Sequence, residues 1–265
     1  MTTSGQPPLF RAKDHDQPSV FKVENLIREA RRQRGLQIVD VPEVCLLDPD
    51  GDTVRHLRDT GAATRLADWA CYHSELWLTE VAGRQIGIVP CAVGAPYAVL
   101  VAEQLVASGC SLIISVTSAG AITPLGPAPY FVLIERAWRD EGTSIHYLPA
   151  SEWSHLLQRL ADGLADAFDG LDEPVHSGSS WTTDAPFRET AAAIGRAERA
   201  GIHAVEMEAA ALYAFAEAAE CDVVCVAHVT NSMATSGDDF EKGEANGTNR
   251  ILALTSAIAQ ALRPT

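Results

Sequence analysis

Two nearly all-apolar runs constrain the fold of this chain more than any other feature. Leu112-Ile113-Ile114-Ser115-Val116 and the stretch from Asp222 to Val229 are apolar at consecutive rather than alternate positions. A strand that is apolar on both faces is buried on both, the condition of a parallel strand inside an α/β sheet. Parallel neighbours need long crossovers, and helix-forming segments supply them. Val93 to Ser108, opened by Gly94-Ala95-Pro96 and closed by Gly109, precedes the first run; the alanine-rich Ala209 to Glu220 precedes the second. The alternation predicts one α/β domain with a mixed, partly parallel β-sheet. Ligands of such folds bind in loops at the carboxyl ends of the strands. A length of 265 residues allows one sizeable core of this kind.

The other segments alternate in the same way. Residues 1–18 are polar, contain Pro and Gly, and read as a flexible N-terminal arm; residues 19–265 form the domain. Ser19 to Gln33 is an amphipathic helix with Ser19 as N-cap and an end near Gly35. Val44 to Leu47 reads as a strand, followed by the turn-rich Asp48-Pro49-Asp50-Gly51-Asp52 and a short polar helix from Arg55 to Ala67. Ser74 to Thr79 and Arg84 to Pro90 form a hairpin that turns at Ala82-Gly83. A loop from Ser118 to Pro129 leads to a strand at Tyr130 to Ile134. Residues 151–169 are expected to be helical, Pro174 to Gly178 a strand, Ser179 to Phe187 a loop and Glu189 to Arg199 a helix. After the apolar run from Asp222 come a polar loop from Asn231 to Gly247 and a C-terminal helix from Asn249 to Leu262. No internal repeat occurs.

Charge and cysteine narrow the partners. A formal charge of −15 argues against a nucleic-acid backbone or an anionic membrane as the main partner. An anionic substrate must then be captured by locally placed cations or backbone N–H groups. The six cysteines are scattered, mostly inside apolar runs, with no Cys-x-x-Cys pair, so buried free thiols in a reducing cytoplasm are expected rather than zinc or redox motifs. The N-terminus lacks the apolar core of a signal peptide, and no apolar run approaches the ~20 residues of a membrane span.

The residues richest in chemistry are His203-Ala204-Val205-Glu206-Met207-Glu208, which run into the alanine-rich helix. Gly201 marks a break upstream, so the helix is expected to start near Val205 or Glu206, with two carboxylates and a thioether in its first turn. The helix dipole favours an ionised carboxylate there. Such a group accepts two hydrogen bonds from a vicinal diol, and Met offers a soft apolar floor. Two capping glutamates and a core methionine are the plainer alternative. Val205-Glu206-Met207-Glu208-Ala209-Ala210-Ala211-Leu212-Tyr213 resembles the ribose-binding signature of the nucleoside phosphorylase superfamily, which includes purine nucleoside phosphorylases, uridine phosphorylases and methylthioadenosine nucleosidases.

Four further segments resemble the same family in the family's order. Gly51-Asp52-Thr53-Val54-Arg55 is similar to the G-D-P-x-R phosphate loop, with Thr53 at the usual proline; an Arg beside free backbone N–H groups suits a phosphate. Ser115-Val116-Thr117-Ser118-Ala119-Gly120 stands where phosphorylases read R-x-G-T-x-G, with Ser115 at the Arg that binds phosphate, Thr117 at the usual Gly, and Ser118 at the phosphate-contacting hydroxyl. A serine hydroxyl does not supply the charged fork of an Arg, and the stretch also resembles the T-G-S-A-G of the nucleosidases. Arg139 to Tyr147 is similar to the R-x-D-G-A-S-x-H-F stretch of uridine phosphorylases. Trp181 to Arg188 matches the S-x-D-x-F-Y segment, making Phe187, then Trp181, the candidates for stacking on a base, and Arg188 a contact to base or phosphate. At Ala227-His228-Val229-Thr230-Asn231-Ser232, purine-cleaving relatives carry an Asp at the position of Asn231 to protonate the leaving purine. An amide does not act as a general acid.

The resemblance implies a three-layer, phosphorylase-like domain that cleaves the N-glycosidic bond of a ribonucleoside with phosphate, giving ribose 1-phosphate and free base. Asn231 tilts the expectation slightly toward a pyrimidine, uridine-like substrate. It implies catalytic roles for Arg55, Glu208 and Asn231, phosphate binding by Gly51, Arg55 and Ser118, ribose binding by Glu206, Met207 and Glu208, and base binding by Trp181, Phe187, Arg188 and Asn231. No metal or organic cofactor is implied; inorganic phosphate is the co-substrate. A cytoplasmic homo-oligomer, dimer or hexamer, is expected, with Tyr72 and His73 near the place of a group lent by a neighbouring subunit. Two alternatives stay open: a nucleoside hydrolase of the same fold, with Asp48, Asp50 and Asp52 as nearby carboxylates, and a non-catalytic nucleoside-binding relative, motivated by Ser115 and Asn231.

Overall fold

The computed structural model describes residues 7–231 and 244–263. Ten strands and seven α-helices are present among them. The strands are β1 (Val44–Asp48), β2 (Thr64–Arg65), β3 (Trp77–Val81), β4 (Arg84–Pro90), β5 (Leu112–Ala121), β6 (Tyr130–Asp140), β7 (Trp153–His155), β8 (Val175–Thr183), β9 (Ala204–Glu206) and β10 (Asp222–Asn231). The helices are α1 (Val23–Arg34), α2 (Asp52–Asp59), α3 (Ala95–Val106), α4 (Gln158–Gly163), α5 (Ala191–Arg199), α6 (Ala209–Ala219) and α7 (Thr248–Leu262).

All ten strands belong to one mixed sheet. β1 lies between β4 and β5 in parallel, and β5 pairs in parallel with β10. The apolar runs that constrain the fold are thus central neighbours, as their two-sided hydrophobicity requires. β10 is antiparallel to β6, β6 parallel to β8, β8 parallel to β9, and β9 returns antiparallel to the end of β5 at Gly120 and Ala121. Strands β5, β10, β6, β8 and β9 therefore close into a ring, from which β1, β4, β3 and β2 extend as an open wing. Helices α1, α3 and α6 pack together, as do α2, α4 and α7, giving helical layers about the sheet. No helix among the described residues is long and apolar enough to cross a membrane.

Several sequence expectations are corrected. α1 starts at Val23, not Ser19, whose hydroxyl donates to the Phe21 carbonyl instead of capping. α2 begins at Asp52 and ends before Gly61, so it does not reach Ala67. Strand β5 continues through Ser118 to Ala121, and β6 runs to Asp140, because β9, β10 and β8 supply long-range partners that local composition does not reveal. The helix expected across residues 151–169 is replaced by β7 and the six-residue α4. Trp153 there stacks on Trp138 of β6, with centroids 6.3 Å apart, and Arg136 lies over its ring, so cross-strand packing overrides helix propensity. The loop expected at Ser179 to Phe187 is mostly strand β8. In the N-terminal arm, residues 7–18 lie against the turn that follows β6: Leu9 approaches Gly142, and the His15 ring bonds the Ile145 carbonyl at 3.1 Å. Much of the loop from Asn231 to Gly247 lies outside the described residues.

Candidate functional site

Glu206 and Glu208 leave the sheet where the ring closes. The helix does not start at Val205 or Glu206: residues 204–206 are strand β9, Glu208 is the N-cap of α6, and only Glu208 stands at the helix start. Glu206 is buried, and its carboxylate accepts four hydrogen bonds: from the hydroxyls of Ser180 (2.9 Å) and Thr182, and from the N–H groups of Glu208 and Ala209, both at 2.7 Å. These tie β8 to the first turn of α6 and satisfy N–H groups that a helix start leaves open. Thr182 also accepts the Ala210 N–H at 2.9 Å.

Glu208 is also buried, at 2% exposure. One oxygen accepts the Gly94 N–H at 2.7 Å and the other the Met207 N–H at 3.3 Å. Burial, and then the charge of Glu206, push Glu208 up to about 8. Burial raises Glu206 as well, although its four donors favour the charged form there. Burial and the neighbouring carboxyl thus oppose the ionised Glu208 expected at the helix start, where the dipole favours charge. Met207 stays partly exposed beside it.

The turn after β1 comes to the same strand ends. Gly51 has φ 72°, and a Cβ there would lie 2.7 Å from the Cys91 sulfur, so the position accepts only glycine without rearrangement. Its N–H is already bonded to the Asp48 carbonyl at 3.0 Å. Asp48 is buried and accepts the Val54 N–H at 3.1 Å, fixing the start of α2. Arg55 pairs with Asp52, one turn back on the same helix, with more than half its side chain exposed. The Asp50 carboxylate accepts the Ser118 N–H at 3.2 Å and its hydroxyl at 2.7 Å. Ser115 is buried, and its hydroxyl has no hydrogen-bond partner among the described residues.

Strand register joins the remaining pieces. Gly120 of β5 pairs with Val205 of β9 on one side and Asn231 of β10 on the other, with a bulge between Val229 and Asn231. Asn231, Ser118, Asp50, Gly94, Met207 and Glu208 thus gather at one end of the parallel strands. The base-binding expectations fare differently. Trp181 packs in a second core with Ile122, Ile202 and Val205, and its ring N–H donates to Asp140 at 3.0 Å, so it is a core side chain and not an open stacking platform. Trp181→Ala should cost about 3–5 kcal/mol in chemical denaturation, the usual loss for truncating a core aromatic. Phe187 and Arg188 sit in a short 3₁₀ turn, both exposed among the described residues.

The segment from Arg139 to Tyr147 positions that turn. Arg139 donates to Ser144 (2.8 Å), to Ser151 (2.7 Å) and to the Pro149 carbonyl (2.8 Å), and the Asp184 carboxylate accepts the Gly142 N–H at 2.8 Å. Gly94 is the contributor that sequence reasoning did not assign to the site, and Asp50 was named there only as a nearby carboxylate for hydrolysis. Only Asp50, in a turn beside the phosphate-like loop, carried a local signal. Among the described residues no group of three or more His, Cys, Asp or Glu side chains is arranged to hold a metal ion.

The model of the phosphorylase superfamily matches residues 43–260. The chain belongs to the phosphorylase superfamily. Solved structures of the same fold include a uridine phosphorylase from Vibrio fischeri ES114 complexed with 6-hydroxy-1-naphthoic acid, 20% identical, covering 85% of this chain and 93% of that one with a TM-score of 0.70. A purine nucleoside phosphorylase from Toxoplasma gondii in complex with immucillin-H is 17% identical and covers 93% of this chain and 98% of that one, with a TM-score of 0.72. No curated protein matches the sequence. These neighbours share the mixed sheet flanked by helices described above.

Proposed function

We propose that this protein cleaves the N-glycosidic bond of a ribonucleoside, with inorganic phosphate accepting the ribosyl group to give ribose 1-phosphate and free base. The observation that carries this reading is Glu208, a buried carboxyl beside Met207 that is held by the Gly94 N–H at the mouth of the parallel strands. A carboxylate there engages the ribose hydroxyls and stabilises the cationic ribosyl group that develops as the base leaves. Binding and positioning supply most of the acceleration, so the reading invokes no metal or organic cofactor. Phosphate would meet Arg55 after the guanidinium exchanges Asp52 for it, together with the Ser118 hydroxyl. Arg55→Ala should raise the phosphate KM about tenfold, roughly the 1.5–3 kcal/mol of one charge-assisted hydrogen bond; an unchanged phosphate KM removes Arg55 from the site.

Asn231 in place of an acid keeps a pyrimidine slightly ahead of a purine. Phe187 is its stacking surface, and Arg188 the adjacent polar contact. Phe187→Ala should raise the KM for the nucleoside several-fold, since stacking a base on an aromatic ring contributes about 1–3 kcal/mol. The melting temperature should stay unchanged, because the ring is fully exposed among the described residues. The exposed apolar Val20, Phe21, Val93 and Leu100 support assembly with further copies, and the free thiols fit a reducing cytoplasm.

A second reading, hydrolysis, is favoured by one specific contact. The Asp50 carboxylate occupies the N–H and hydroxyl of Ser118, the donors assigned to phosphate. Ser115 brings no positive charge to offset the repulsion between two anions. A carboxylate so placed could take a proton from water as it attacks C1′, and free ribose would be the product. Measuring nucleoside consumption with and without phosphate separates the two.

A further inference from the structure

We propose that Thr182 and Glu206 are positioning residues, which place the Glu208 carboxyl at the sugar by anchoring its backbone to strand β8. The inference rests on the reading of Glu208 as the sugar-binding group. Both oxygens of Glu206 are engaged. One accepts the hydroxyls of Ser180, at 2.9 Å, and Thr182; the other accepts the N–H groups of Glu208 and Ala209, both at 2.7 Å. A carboxylate offers about four acceptor sites, so this one has none left for a ribose hydroxyl. Glu206, expected among the ribose ligands, therefore serves the sugar through the N–H that it holds, which is that of Glu208 itself.

Thr182 is buried and lies opposite Glu206 in the parallel pairing of β8 with β9. Its hydroxyl oxygen accepts the Ala210 N–H at 2.9 Å, and its proton goes to Glu206. Ser180, two residues earlier, points from the same face of the strand. The Glu208 side chain does not cap α6; it turns back to the Gly94 and Met207 N–H groups. The N–H groups that a helix start leaves open are instead bonded by Glu206 and Thr182, both seated in the sheet. A shift of the first turn of α6 is thus a shift of the sugar carboxyl. Misplacing a reacting group by about 1 Å can cost roughly 10²-fold in rate.

The test sets two variants of the full chain against each other. Thr182→Val keeps the volume and removes the hydroxyl; Thr182→Ser keeps the hydroxyl and removes the methyl. The first readout is kcat/KM for a ribonucleoside divided by that for its 2′-deoxy counterpart, a ratio that a general loss of folded protein does not move. It should fall about tenfold in the Val variant, the order of one hydrogen bond to a charged group, and recover in the Ser variant. In a Glu208→Gln background Thr182→Val should leave the ratio unmoved, because residues that act through one group are not additive. An unchanged ratio in the Val variant overturns the proposal, as does a Ser variant worse than Val, the order that packing alone predicts. If the Val variant does not fold, Ser180→Ala takes its place, with a smaller fall expected and an unmoved ratio again contradicting the proposal. The second readout is amide hydrogen exchange at Glu208 and Ala209, which should speed up in the Val variant and not in the Ser variant. Should the wild-type protein cleave no nucleoside, the proposed function fails and this exchange decides the link from Thr182 to Glu208. Faster exchange in the Val variant alone supports the link, and unchanged protection overturns it.

Discussion

Glu208→Gln should lower kcat/KM for ribonucleosides by about 10²–10³, the loss typical of removing one preorganised group that stabilises developing charge. Gln has the same shape and can still accept the Gly94 N–H, so the loss reports the charge and its second acceptor rather than a collapsed helix start. The pH dependence follows from the same group. Glu208 is raised to about 8 by burial and by Glu206, so it carries a proton in the empty site at neutral pH. Riboside cleavage should therefore increase as pH rises through about 8, where the carboxylate that stabilises a ribosyl cation forms, and the Gln variant should lose that limb. Stability moves the other way. The folded pKa lies above that of the unfolded chain, so the native state holds the extra proton; this contribution is full below the unfolded value and is lost as pH rises through about 8. In thermal unfolding Glu208→Gln should flatten the decline between about pH 5 and pH 9. A variant with unaltered riboside kinetics and an unaltered pH profile would remove Glu208 from the sugar site.

Asp50→Asn has the second large effect, and its sign separates the two acceptors. In a phosphorylase the Asp50 carboxylate competes with phosphate for the Ser118 N–H and hydroxyl. Replacing it with an amide removes the repulsion between the two anions. The phosphate KM should then fall about tenfold, or roughly 1.4 kcal/mol, with kcat kept. In a hydrolase the same change removes the group that accepts the proton of water, and kcat should drop by about 10²–10⁴. Steady-state kinetics across a phosphate titration reads both outcomes. A variant indistinguishable from wild type would mean that the contact between Asp50 and Ser118 has no part in binding the acceptor.

Central elements were legible in the sequence where the pattern was local. The runs from Leu112 and Asp222 are buried parallel neighbours because apolar residues fill both faces of each, with only Ser115 and His228 polar inside them. The hairpin turning at Ala82-Gly83 is present, with both residues at positive φ, although its first strand is Trp77–Val81 rather than Ser74 to Thr79. What failed depended on distant partners. Ser179 and Ser180 look like loop residues, yet they are buried in β8 because one hydroxyl bonds the Gly201 carbonyl and the other bonds Glu206. The start of α6 was misplaced because Glu206 serves as the acceptor for its first N–H groups from outside the helix.

The site divides along the same line. Glu208 and Ser118 stand out from short motifs, but the donor that holds Glu208 is Gly94, more than a hundred residues away in sequence. Trp181 shows the limit of a motif match. Its place in the segment nominated it for stacking, whereas β8 turns its ring into the core beside Val205.

The central claim is that this chain separates a base from ribose. It is tested most directly by incubating the full chain with a panel of ribonucleosides, with and without inorganic phosphate, and separating the products by chromatography. The expected result is release of free base that requires phosphate and is matched by ribose 1-phosphate, with a uridine-like substrate among the best. Free ribose formed without phosphate would replace phosphorolysis with hydrolysis while keeping the site. Nucleoside binding with no base released under either condition would contradict the claim.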